Sequence, residues 1–169
     1  MQQSLQAAPD LLAQLQEQLG SSDESTRRIA RFWSFSLAPQ QAVATALASP
    51  TPEHRTAAVD WMLARSANDP QLATALASFA ARSNDNAAPV RIARWLDLVR
   101  AKQRPTTALA AQLLRALAHD RLPIRHIADQ CLQRLTGMQT AYRADAPPPA
   151  RRRGIEQWSR LLRGRRDRK

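Results

Sequence analysis

The hexapeptide Ala-Thr-Ala-Leu-Ala-Ser occurs twice in this chain, at 44–49 and 73–78, and Thr-Ala-Leu-Ala returns at 107–110. A proline suited to the first turn of a helix precedes each copy, at Pro39, Pro70 and Pro105. Between the copies a second unit recurs, an arginine opening an apolar helical run, at Arg27, Arg55, Arg91 and Arg125. Two helix types alternating at about 30 residues are the pattern of stacked helical hairpins. One hairpin cannot cover its own apolar face, so neighbours must stack for any of them to be stable. The expected fold is all-α.

Composition agrees with that reading. At 169 residues the chain is one domain's worth, long enough to bury roughly 70% of its unfolded surface. Much of its 44% hydrophobic content is alanine, and only four glycines are available for turns, which favours close helix packing over a sheet. Cys131 is the one cysteine, so a disulfide framework and a cysteine metal site are excluded. No apolar run approaches the roughly 18 residues of a membrane span. The start, Met-Gln-Gln-Ser-Leu-Gln, lacks the basic and apolar stretches of a signal peptide. The expected location is cytoplasmic, or periplasmic if a leader has been removed.

Periodicity and capping residues place nine helices. The arginine-led ones are expected at 22–37, 51–66, 88–102 and 122–136, lying side by side as one layer. Ser22 with Asp23, and Thr51 before Pro52, read as helix starts. Ile29, Phe32, Trp33, Ser36 and Leu37 share one helical face, and Trp33, Trp61 and Trp95 each fall on an apolar stripe. The expected core holds Trp61, Leu76, Phe79, Leu96 and Leu113, with Ile127, Leu132 and Trp158 toward the C-terminus. Residues 1–137 form the repeat array, 138–163 a proline loop with a capping helix over about 150–163, and 164–169 a basic disordered tail.

The second helix of each pair carries a finer pattern. Asp120-Arg-Leu-Pro-Ile-Arg125-His-Ile-Ala128 resembles the HEAT repeat, in which a turn aspartate precedes a helix opening with an aliphatic residue, an arginine and an alanine. Asp85…Val90-Arg91-Ile-Ala93 is a second instance, and Ser49…Arg55-Thr-Ala-Ala58 and Ser21…Arg27-Arg-Ile-Ala30 are weaker ones. Leu135-Thr136-Gly137, Tyr142, a proline loop, an arginine cluster and Trp158 resemble the terminal segment of some bacterial HEAT-like proteins. The resemblance covers most of residues 9–163. It implies a short α-solenoid of about four hairpins plus a C-terminal capping helix, in a family made mostly of scaffolds and adaptors. In it the first arginine of each repeat is expected to bridge to a neighbouring repeat's turn.

Charge points to the partner class. The chain carries a formal net charge of +11, densest after residue 150, which attracts acidic proteins or nucleic acid. Candidate partner-binding residues are Arg28, Arg31 and Arg94 on the arginine-led helices, and Arg151, Arg152, Arg153, Arg160 and Arg163 on the last helix. Arg153, Arg160 and Arg163 are expected to share a face. The expected function is a non-catalytic scaffold that engages an acidic protein or peptide through its concave face. A nucleic-acid-binding module using the arginine-rich C-terminus is the alternative. A third reading, a HEAT-like DNA glycosylase, would need Asp60 beside Trp61 or Asp97 near Trp95 as its catalytic aspartate. No phosphate loop, nucleophile elbow or spacing of His54, His119 and His126 suits a cofactor or metal, so none is expected.

Overall fold

The computed structural model describes residues 8–65, 68–83 and 86–164. Among these residues the only regular elements are nine helices. They are α1 (Ala8–Gln18), α2 (Glu24–Leu37), α3 (Pro39–Ala48), α4 (Pro52–Leu63), α5 (Pro70–Ser83), α6 (Ala88–Arg100), α7 (Thr107–Leu117), α8 (Leu122–Thr136) and α9 (Pro148–Gly164). None of them is long and apolar enough to cross a membrane.

Their starts and stops follow from local chemistry. Asp23 caps α2 by accepting a hydrogen bond from the Thr26 amide at 2.7 Å, satisfying one of the amides a helix start leaves open. Thr51 holds the N-cap position of α4 as expected, but its side chain makes no capping bond. Its work passes to Pro52, which lacks the amide and has the helical φ already set. Gly137 ends α8 in the left-handed region at φ 69°, with its N–H bonded to the Gln133 carbonyl at 2.8 Å. The last helix runs two residues earlier than expected at its start and includes Gly164. The rest of the tail, 165–169, lies outside the described residues.

Consecutive helices pair as α1 with α2, α3 with α4, α5 with α6 and α7 with α8, and the pairs pack on one another. Contacts of α4 with α6 and of α6 with α8 agree with the expected layer. Two features depart from a flat row. Helix α8 also touches α4 and α3 directly, although a linear stack would keep α6 between α4 and α8. Polar groups tie that contact: Thr56 Oγ1 and His126 Nε2 lie 3.4 Å apart, and Arg134 is ion-paired with Asp60. Helix α2 packs chiefly on α1 and α3, and meets α4 through the stacked rings of Phe35 and Trp61 at 6.0 Å.

The core runs from Val43 and Leu47 on α3, through Met62, Leu72 and Trp95, to Ile127, Leu132 and Trp158. Every residue expected there is buried except Trp61, which is half-buried: Phe35 stacks on its ring and the Arg65 guanidinium lies 3.8 Å from the ring centroid. Helix α9 is fastened at two points. Trp158 Nε1 donates to Asp129 Oδ1 at 3.0 Å, and the loop before the helix is pinned by the Tyr142 hydroxyl donating to the Leu117 carbonyl at 2.7 Å.

Candidate partner-binding surface

The four repeated arginines occupy the same place, the fourth residue of α2, α4, α6 and α8. In three of them one guanidinium nitrogen, Nη1, donates to the carbonyls six and five residues earlier. Arg27 bonds Ser21 and Ser22 at 2.6 and 2.9 Å, Arg55 bonds Ser49 and Pro50 at 2.7 and 2.8 Å, and Arg125 bonds His119 and Asp120 at 2.7 Å each. Each of these three arginines therefore closes the turn that precedes its own helix, where a bridge to a neighbouring repeat's turn was expected. Helical side chains lean toward the N-terminus, so from the fourth position the nearest open carbonyls are those of the preceding turn. Two of these three, Arg55 and Arg125, also reach the loop before α9. Arg125 Nε donates to the Ala144 carbonyl at 2.8 Å, and Arg55 Nη2 lies 3.4 Å from Asp145 Oδ2.

The candidate binding arginines divide into separate groups. Arg28 is exposed on α2. Arg31 is half-buried, with Nη2 on Glu24 at 3.0 Å and Nε on the Arg27 carbonyl at 3.3 Å, so its charge is partly neutralised. The side-chain bond and charge of Arg27, and then Arg31, hold the Glu24 carboxyl below its ordinary range. Arg94 is exposed on α6. On α9, Arg152, Arg153, Arg160 and Arg163 are exposed, while Arg151 is half-buried with Nε enclosed. Arg153 and Arg160 line one shallow depression with Gln157, but Arg163 turns to a different cleft, opposite Arg104 and Thr106 at the start of α7. Ten residues of helix rotate Arg163 well away from Arg153, which is why the expected common face divides.

The tryptophans do not form a row. Trp95 is buried, Trp61 is half-buried and Trp33 is 48% exposed. Neither aspartate of the glycosylase reading stands alone in a groove. Asp60 is paired with Arg134, and Asp97 lies 2.7 Å from Arg100.

The most unusual surface is the shared face of α2 that the sequence marked as an apolar stripe. Ile29 is 58% exposed, Phe32 66%, Trp33 48% and Leu37 50%. Helix α2 instead buries Ala30, Ser34 and Phe35 against α1 and α3. Among the described residues α2 packs through its other side, on α1 and α3, and no helix covers the face of the stripe. Phe32 and Trp33 hold each other edge to face at 5.6 Å, and Arg28 lies one residue before Ile29 on the margin of the stripe. The stripe adds up to roughly 400 Å² of apolar surface, about the size of the largest patch on an ordinary monomer, which is often functional.

Among the described residues no three of His, Cys, Asp and Glu gather as a metal site needs. No family model matches the chain, and comparisons with curated proteins and with solved structures return no match.

Proposed function

We propose that the chain is a short helical-repeat scaffold of HEAT-like type, non-catalytic, that binds an acidic amphipathic helix of a partner protein on the outer face of α2. The exposed stripe of Ile29, Phe32, Trp33 and Leu37 carries the proposal. Spacing of three and four residues suits a helix laid alongside. Charge and area favour this occupant over a second copy. The stripe is edged by Arg28 in a chain of net charge +11, which attracts an acidic segment and repels itself. Its area is also well below the roughly 800 Å² per partner that a stable protein pair buries. The HEAT-like assignment is supported by the arginine device recurring at the same helical position.

Titrating the protein with a synthetic amphipathic helix of Leu, Phe and Glu, followed by tryptophan fluorescence, tests the reading. Saturable binding is expected, weakened at least ten-fold by Phe32→Ala with Trp33→Ala and absent for a lysine version of the peptide. Indifference to the double substitution overturns the site. Concentration-dependent dimerisation abolished by the same substitutions would assign the face to a second copy instead.

A second reading has its own support in α9, where Arg152, Arg153 and Arg160 are exposed and the buried residues are Gly154 and Trp158. If it binds phosphates, Arg153→Gln with Arg160→Gln should lower DNA affinity at low salt and flatten its salt dependence by about two contacts. Negligible DNA binding at low salt removes this reading.

A further inference from the structure

Opposite the exposed stripe, α2 borders a cavity. Arg31, Ser34 and Phe35 lie on the inner side of the helix and Ala38 is its C-cap, and all four line a half-open space of about 640 Å³ bounded by the residues after α1, by α3 and by the start of α4. Cavities of this size with mostly apolar walls and a few convergent polar groups are the usual form of a small-molecule site. The apolar walls are Leu19, Phe35, Ala38 and Ala42, together with the alanines of the 44–49 hexapeptide. Alanines keep the space open. On α5 the second copy of the hexapeptide, which includes buried Ala75 and Leu76, lies in an inner helix that packs on α3 and α6.

Three polar groups, Ser34, His54 and Arg31, stand in the cavity wall. Ser34 is 8% exposed, and its Oγ is enclosed without a hydrogen-bond partner among the described residues. A buried hydroxyl left so is costly, and it marks a place where a polar atom belongs. His54 bonds the Ser49 hydroxyl through Nδ1 at 3.2 Å, which turns Nε2 to other partners. Arg31 brings a guanidinium whose Glu24 partner takes only part of its hydrogen-bonding capacity.

We infer that this cavity is a binding site for a small apolar carboxylate, its hydrocarbon against the alanine walls and its carboxylate toward Ser34, His54 and Arg31. The local field has the matching sign. Burial first, and then the charge of Arg31, hold the His54 imidazole below its ordinary range; Glu53 opposes them and Arg27 adds the smallest effect. An anion entering there meets the guanidinium of Arg31, whose charge Glu24 offsets only in part. The site is independent of partner binding on the outer face, because the two stripes lie on opposite sides of α2.

The test uses octanoate, with octanol and octylammonium as controls of equal chain length, on the intact protein. Binding is followed by calorimetry, and the His54 ring by its proton resonances across pH. Octanoate should bind at least ten-fold tighter than octanol, and octylammonium should fail to bind. In unmodified protein the His54 pKa should rise when octanoate is present, since the imidazolium gains an anionic neighbour. Thr45→Trp, a substitution of an exposed residue on the cavity lining, should block all binding, and Arg31→Gln should remove the preference for octanoate. Equal affinity for octanol and octanoate, an unmoved His54, or octanoate binding that survives Thr45→Trp overturns the inference. The Phe32→Ala, Trp33→Ala protein should bind octanoate normally, which keeps this result separate from that of the outer face.

Discussion

His126 and Asp129 are one helical turn apart on α8 and both are buried, yet burial moves them in opposite directions. His126 is lowered from the ordinary 6.5 to about 4, by burial first and then by the charge of Arg55, against a smaller opposing effect of Asp145. Asp129 is raised from 3.8 to about 6 by burial, against the hydrogen bonds from Trp158 and Gln133. For His126 the unfolded chain takes up its proton first, so stability is full above pH 6.5 and is lost as pH falls toward 4. For Asp129 the unfolded chain ionises first, so stability is greatest below pH 3.8 and declines as pH rises toward 6. Each effect is on the order of 3 kcal/mol, and across the shared window they oppose. Relative to the native protein, Asp129→Asn should therefore lose stability on acidification from pH 6.5 to 4, and His126→Gln should gain it. Urea unfolding at several pH values reads both. Parallel pH profiles in the two variants would show that burial of these groups does not set the titration. Cys131 completes this buried group, its thiol pushed up to about 12 by burial, so it should react with a thiol reagent only as fast as the chain unfolds.

At the scale of elements, the attachment of α9 depends on a glycine inside a helix. Gly154 costs about 1 kcal/mol relative to alanine in a helix interior, and it is there because Tyr142 lies against it. A Cβ at residue 154 would come within 2.8 Å of Tyr142 Cα, where backbone must move. Gly154→Ala is expected to destabilise the protein by about 1–3 kcal/mol despite its better helix propensity. Because the clash sits on the loop pinned by the Tyr142–Leu117 bond, the loss should appear in α9 and its loop before it appears elsewhere. A variant as stable as the parent would place Tyr142 away from α9. The arginine device works at the same scale. It sets a cation near a helix N-terminus, against the helix dipole, and two carbonyl acceptors in the preceding turn compensate for that in α2, α4 and α8.

Across the whole molecule, stability should grade from one end to the other. Helix α8 touches α3, α4, α6 and α7 and receives Trp158 from α9, whereas the principal neighbour of α1 is α2. Local openings follow the number of packed neighbours. Native-state hydrogen exchange should therefore find the α8 amides slowest, at the rate of global unfolding, and the α1 amides fastest. Equal protection of the two would mean that the first hairpin is held by something beyond its contacts with α2. The same gradient places the outer stripe of α2 and the cavity behind it at the looser end, where a ligand can reshape its surroundings at least cost.

The helices themselves were legible in the sequence. Proline and capping positions, the repeated hexapeptide and the stripes of Leu113, Ile127 and Leu132 act through neighbours along the chain, which any sequence displays. The place of each helix among the others was not. Ile29, Phe32, Trp33 and Leu37 carry the same spacing as a buried stripe, and periodicity cannot tell a face covered by a neighbour from one left open. The direct contact of α8 with α4 and the approach of Tyr142 to Gly154 join residues far apart along the chain, so they depend on how the helices pack. So does the cavity beside Ser34, which is a space left between four helices, and no segment of the chain by itself encloses a space.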